Sequence, residues 1–227
     1  MKHSVLENIV WESLIGNQSH FSAGGGGARR YAVGFSPIVG FEDRDNPDFE
    51  SLGAVCAKGE SFYTEGWSGS CPDGWNIEID SFMFKMVWDG SVAPESEAGD
   101  AVVLGAEHAE RAVELAKLTN PGPFGLRTIE LGDYYGYFDG EQLTSMAGER
   151  FEADVFREIS GVCTHPDYQG RGLARKLMSR LIRQGVLRGQ TPFLHVMSHN
   201  EGARHLYRKL GFVDYHETPV RLITRTD

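Results

Sequence analysis

Gln169-Gly170-Arg171-Gly172-Leu173-Ala174 is the stretch whose reading decides the fold. Before it, residues 155–164 read as an apolar strand. After it, residues 171–187 read as a long amphipathic helix, with Leu173, Leu177, Met178, Leu181 and Ile182 at the spacing of one buried stripe. The stretch is therefore a glycine-permitted turn feeding the first turn of a helix. A helix start carries backbone N–H groups without internal partners and the positive end of the macrodipole. Gly170 and Gly172 lack the Cβ that would hold an anion off the backbone, and Arg171 and Arg175 can add charge beside it. A pyrophosphate suits such a place. The charge map agrees. From residue 165 to 211 nine Lys or Arg face two acids, in a chain whose net charge is -10. A solvated helix face explains the outer arginines but not the doubled glycine.

Outward from this turn, strand and helix alternate. Strands are predicted over 101–104, 134–138, 142–147, 155–164 and 191–197, with one or two more in 212–223. Helices are predicted over 107–118, 171–187 and 201–210. Asp139-Gly140 marks a hairpin, Pro121-Gly122-Pro123 a break, and Asn200 and Gly211 the ends of the last helix. This is an α/β pattern with a mixed sheet. The first ninety residues are less regular. A short helix is expected over 6–14, extended chain over 31–39 and 54–62, and a clear strand over 75–88. The glycine run 24–27 reads as a flexible loop, since no Lys-Ser/Thr or strand-helix context makes it a phosphate loop. Residues 90–99, with Pro94, Ser96 and three acids nearby, read as a linker. The division expected is 1–96 and 97–227.

Composition narrows the function. A chain of 227 residues can bury a core unaided. Three cysteines, Cys56, Cys71 and Cys163, without repeated spacing argue against a disulfide framework and a zinc site. His195 and His199 lack a third ligand in register, so no metal is expected. The acidic balance argues against nucleic acid. No apolar run suits a leader or a membrane span, so a cytoplasmic protein is expected.

The turn and its surroundings resemble the GNAT superfamily of acyl-CoA N-acyltransferases. Gln169, Gly172 and Ala174 match its glycine signature. The strand ending in Val162-Cys163-Thr164 resembles the strand that pairs with the pantetheine arm. Asn200 to Tyr207, running into Leu210-Gly211-Phe212, resembles its second motif. The likeness covers about 101–223, and Pro121 to Thr128 resembles a subgroup with a divergent N-terminal half. It implies a mostly antiparallel mixed sheet with splayed central strands flanked by helices. Residues before 97 would then be a degenerate half-copy or an accessory α/β unit. It implies acetyl-CoA, or another acyl-CoA, held by Val162, Cys163, Thr164, Gln169, Gly170, Arg171, Gly172, Leu173, Ala174, Arg175, Asn200 and Ala203. It implies direct transfer of a short acyl group to a primary amine, on a small molecule or a peptide. By position Glu158 becomes the candidate base, or else a strand-end charge pairing with Arg157 or another base. Tyr207 becomes the candidate acid for the thiolate, or a core tyrosine. Cys163 reads better as a buried structural thiol than as a nucleophile. A non-catalytic acyl-CoA sensor of the same fold, and a homodimer, stay open.

Overall fold

The structure, a computed structural model, describes residues 2–90, 92–95 and 98–227. The boundary expected between 96 and 97 lies outside the described residues. The N-terminal segment forms two short helices, α1 (Lys2–Glu7) and α2 (Ile9–Ile15), a small three-stranded sheet, β1 (Ser22–Gly25), β2 (Ala28–Tyr31) and β3 (Val39–Phe41), and α3 (Phe49–Gly53). There follow β4 (Ser61–Glu65), β5 (Trp75–Trp88), β6 (Val102–Val103), α4 (Ala109–Thr119), β7 (Tyr134–Asp139), β8 (Gln142–Ala153), β9 (Phe156–Thr164), α5 (Leu173–Leu187), β10 (Thr191–Met197), α6 (Glu201–Lys209) and β11 (Phe212–Arg225).

Among the described residues, eight strands make the main sheet in the order β4-β11-β5-β10-β9-β8-β7-β6. Strands from both sides of residues 96–97 share it, and β5 stands inside it, between β11 and β10. Every described pairing in it is antiparallel except β9 with β10. The architecture is thus a mixed α/β sheet, mostly antiparallel, with helices against it. α5 has the predicted stripe. Leu177, Met178, Leu181 and Ile182 are fully buried against Met86, Ile159, Leu194 and Phe212. On the other face Leu6, Ile9 and Leu14 pack with Phe151, Phe156 and Phe193.

Local differences from the predicted elements have physical causes. The glycine run 24–27 is a hairpin rather than a loose loop. Gly24 and Gly26 take φ of 123° and 54°, and the Gly27 N–H donates to Asp48 Oδ2 at 3.1 Å. The extended stretch 31–39 is cut by Gly34 at φ 96° and by Pro37, so only its ends are strands. The stretch 54–62 is mostly turn, with Gly59 at φ 84°. The C-terminal strand is one 14-residue element, bent by a register shift between Asp214 and His216.

Leu181 lies at the centre of the α5 stripe with 1% exposure. Leu181→Ala is expected to lower unfolding free energy by about 2–5 kcal/mol in a denaturant titration. A change within experimental error would show that α5 is not part of the main core.

Candidate active site

Two strands that should share a ladder part company in the middle of the sheet. β9 and β10 are in parallel register at Phe156/Thr191, Arg157/Pro192 and Glu158/Phe193, and there the pairing stops. β9 runs on to Thr164 and β10 to Met197, each still paired along its outer edge, β9 with β8 and β10 with β5. The result is a fork with Glu158 and Phe193 at its vertex. Buried backbone groups need partners, and along the arms of the fork the sheet does not supply them. Gly161, at φ 63°, marks a bulge in β9 where the register to β8 shifts, and this re-aims the backbone at Val162.

Because β9 and β10 are parallel, the helices that follow them start at the same end of the sheet, the open end of the fork. α5 opens with Gly172 as N-cap and no acid in its first turn. Gly170 and Gly172 both have φ 75°, and a Cβ at either would meet nothing within 4 Å. Open space, positive φ and an uncapped helix start suit close approach of an anion to the backbone. Arg171 donates to the Asp167 carbonyl at 3.0 Å and lies 4.5 Å over the Tyr168 ring. Gln169 Nε2 reaches the Thr164 carbonyl at 3.4 Å, which ties the turn to the end of β9. Leu173, Ala174 and Arg175 form the first turn of α5. Asn200 caps α6 by accepting from the Ala203 N–H at 3.1 Å. Thr164 shares a 2.9 Å hydroxyl contact with Ser145, and Cys163 is buried, which pushes its thiol up to about 11.

The two candidate catalytic residues lie on opposite faces of the fork. Tyr207 packs with Ile159, Leu194 and Val196 on the face covered by α5 and α6, while α1 and α2 cover the other. Burial, with the charge of Cys163 adding, pushes its hydroxyl up to about 12, so it is protonated at neutral pH. Glu158 is one residue out of phase with Ile159 and in register with Phe193, so it points to the other face. It is 1% exposed. Its partner is Arg150, through Nε and Nη2 at 2.8 Å each, and not Arg157, which pairs with Glu149 and Glu152. His195 Nδ1 stands 2.7 Å from Oε1, and the Phe151 N–H donates to Oε2 at 3.4 Å. Four donors on two oxygens fill the acceptor directions of a carboxylate. Burial alone would raise this carboxyl, but the charge and hydrogen bonds of Arg150, with His195, hold it down at about 2.

His195, Arg150, Glu65 and Lys85 have no place in the site residues expected from sequence. His195 sits two residues beyond Phe193 on β10, with its Nε2 3.1 Å from Glu65 Oε2 on β4. Lys85 on β5 holds the other Glu65 oxygen at 3.1 Å. Tyr134 lies across Gly148 and reaches Gly161, where its buried hydroxyl finds no hydrogen-bond partner among the described residues. The usable signal is a single polar residue within an apolar stretch, Lys85 on β5 and His195 on β10; Arg150, next to Glu149, carries no such signal.

Comparison with known proteins bears out the class. Residues 134–221 match the family model described as FR47-like protein. A 67-residue stretch is 45% identical to the L-amino acid N-acyltransferase MnaT of Escherichia coli (strain K12), covering 26% of this chain and 37% of that protein. The chain thus matches little more than a third of that curated relative's length. A GNAT-family structure from Novosphingobium aromaticivorans DSM 12444 superposes with a TM-score of 0.87 at 28% identity, over 98% of this chain and 99% of that one. A GCN5-related N-acetyltransferase from Kribbella flavida shares the fold, with a TM-score of 0.62 at 16% identity over 97% and 95%. The fold is therefore that of GNAT-family acetyltransferase structures. The chain carries an FR47-like domain within it, and in the matched stretch it is homologous to an N-acyltransferase.

Removing the Glu158 charge should cost stability in a pH-dependent way. Its folded pKa of about 2 lies below the roughly 4.3 of a free glutamate, so the stabilisation is present above pH ~4.3 and lost as pH falls through about 2. Glu158→Gln is expected to lose about 3 kcal/mol at pH 7, with a gap to wild type that narrows between pH ~5 and ~2. Equal gaps at pH 7 and at the acid end of that range, in urea titrations, would rule out an ionised Glu158.

Proposed function

We propose that this chain is an N-acyltransferase that moves an acetyl or other short acyl group from acyl-CoA directly to a primary amine. The observation that carries the reading is the fork, which opens beside the starts of α5 and α6. Gly170, Gly172 and the backbone to Arg175 fit a pyrophosphate, since open space lies where side chains would stand. Val162, Cys163 and Thr164 offer the strand edge to the amides of the pantetheine arm, and Asn200 and Ala203 line the second helix start. Acyl-CoA supplies an activated thioester carbonyl. The Val162 N–H, re-aimed by the Gly161 bulge, is the donor for its oxygen. Tyr207, protonated at neutral pH, gives a proton to the leaving thiolate from the face that α5 and α6 cover.

The amine approaches from the opposite face, where Glu158 stands. Its four donors leave no free acceptor direction for an ammonium proton, so direct removal by this carboxylate requires a bond to be surrendered. Glu158 therefore acts by its position and charge at the vertex, the proton that the nitrogen loses on acylation passes to solvent, which also reprotonates Tyr207, and the acceptor best served is an amine of low basicity. A peptide α-amine, with a pKa of roughly 7.7–8.0, is neutral in an appreciable fraction at neutral pH. A lysine-like amine at roughly 10.4 is not. The name of the E. coli relative, an L-amino acid N-acyltransferase, favours an α-amine over a side-chain amine, while the preference for low basicity rests on the filled Glu158 carboxylate.

Two outcomes test this. Gly172→Val places a branched Cβ in the open space at a backbone of φ 75°, and calorimetric affinity for acetyl-CoA is expected to fall at least about tenfold while circular dichroism is retained. Unchanged affinity would move the pyrophosphate elsewhere. Tyr207→Phe is expected to lower turnover about tenfold to a hundredfold, read by thiol release with an α-amine panel. Wild-type turnover across the pH range would leave its hydroxyl a packing role only.

A further inference from the structure

Five ionisable side chains from five strands form one buried line beneath the fork. From β4 to β8 they are Glu65, Lys85, His195, Glu158 and Arg150; four are buried as whole residues, and the side chain of His195 is 8% exposed. Lys85 Nζ binds the Leu6 carbonyl at 2.6 Å and Glu65 Oε1 at 3.1 Å. Glu65 Oε2 faces His195 Nε2 at 3.1 Å, an ion-pair contact not aligned as a hydrogen bond. His195 Nδ1 faces Glu158 Oε1 at 2.7 Å, and Arg150 grips the far side of Glu158.

Both ring nitrogens of one histidine therefore lie within about 3 Å of carboxylate oxygens. A neutral imidazole has one N–H and one lone pair, so one of the two contacts would set a lone pair against an anionic oxygen. Only the doubly protonated ring satisfies both. The groups around it are consistent with that form. Glu158 comes from β9 and Glu65 from β4, with Arg150 of β8 and Lys85 of β5 behind them. Tyr31 and Tyr134, which both interact with Arg150 and Glu158, stay protonated because burial raises them above their usual range. The aromatic rings beside it are those of Phe151 and Phe193, edge-on at 6.2 and 5.6 Å. Burial opposes the imidazolium, but the Glu65 charge and the contacts to both carboxylates outweigh it.

We propose that Glu65 is a positioning residue of the fork: by facing Nε2 while Glu158 faces Nδ1, it keeps His195 doubly protonated, and the clamped ring fixes the Glu158 carboxylate at the vertex. Residues 61–88 thereby complete a site whose other residues lie beyond position 130. This rests on the fork being the reaction site, but its first test does not.

Nitrogen-resolved NMR of the wild-type ring reads the protonation state directly, whatever the protein catalyses. Both His195 nitrogens are expected to carry protons at pH 7 and to titrate above the roughly 6.5 of a free histidine. A neutral ring at pH 7 would overturn the proposal, even if Glu65→Gln did not fold. In folded Glu65→Gln the ring should titrate at lower pH, and Glu65→Asp should restore part of the shift. An unmoved titration would also overturn it. With the acceptor amine that works best, Glu65→Gln should lower kcat about tenfold and shift its pH profile, with KM for acetyl-CoA little changed. Unaltered kcat would reduce Glu65 to a structural counter-ion. Absence of transfer in wild type would overturn the positioning role and the proposed function together, but not the protonation of His195.

Discussion

Backbone N–H and C=O groups inside a sheet must be paired, and past Glu158 and Phe193 the two parallel strands cease to pair each other. A gap of this kind would normally close or admit water. Here it is held open from both sides. β5 keeps β10 aligned along 193–197, while β8, with its own irregularities opposite Gly161 and Glu158, bends β9 away. The Arg150–Glu158 pair sits where the second irregularity lies, so the charge pair and the divergence of the strands occupy one spot. Burying two ions is costly unless they are paired and hydrogen-bonded throughout. The bidentate guanidinium, the Phe151 N–H and His195 meet that condition for Glu158.

The fork also separates two chemical tasks. Alternation along β9 puts Ile159 against α5 and α6 and Glu158 on the opposite face. The face under α5 and α6 carries the positive-φ glycines, the α5 start and Tyr207, all suited to a phosphorylated thioester and its leaving group. The other face carries carboxylates with their fixed counter-ions, walled by aromatic rings. On the proposed reading, substrates that approach from opposite sides would not compete for one opening, and the sheet itself would be the plane across which transfer occurs.

Much of this was legible in the residues, because local signals are strong where one element makes them. The α5 stripe follows from the 3.6-residue period of Leu177, Leu181 and their neighbours, and 191–197 reads as a strand with its bounds correct. The Gln169 to Ala174 turn announces itself by two glycines before a basic helix. Strand order is another matter. Nothing in Trp75–Trp88 says that it will lie between β10 and β11, since that depends on pairings more than a hundred residues away. For the same reason nothing local marks Glu65, which lies beyond the stretch 54–62 expected to be extended. The role of Arg150 was hidden by the irregularity in β8, because simple two-residue alternation cannot tell which of Glu149, Arg150 and Phe151 will face Glu158.

The placement of β5 also shapes how the chain must come together. Its partners are made last in sequence, β10 from residue 191 and β11 from residue 212. Contacts so distant along the chain cost loop-closure entropy before they return any stabilisation, and they slow folding. Until β11 arrives, β5 is a long strand carrying Phe84, Met86 and Trp88 with no place to bury them. A growing chain must therefore keep an adhesive edge from self-association while more than a hundred residues are added. Conversely, a fragment beginning after residue 97 would leave the inner edges of β10 and β11 bare, each a template for pairing with another chain. Solubility in this protein thus belongs to the whole polypeptide, and shortening it from the front would yield an aggregating species rather than a smaller enzyme.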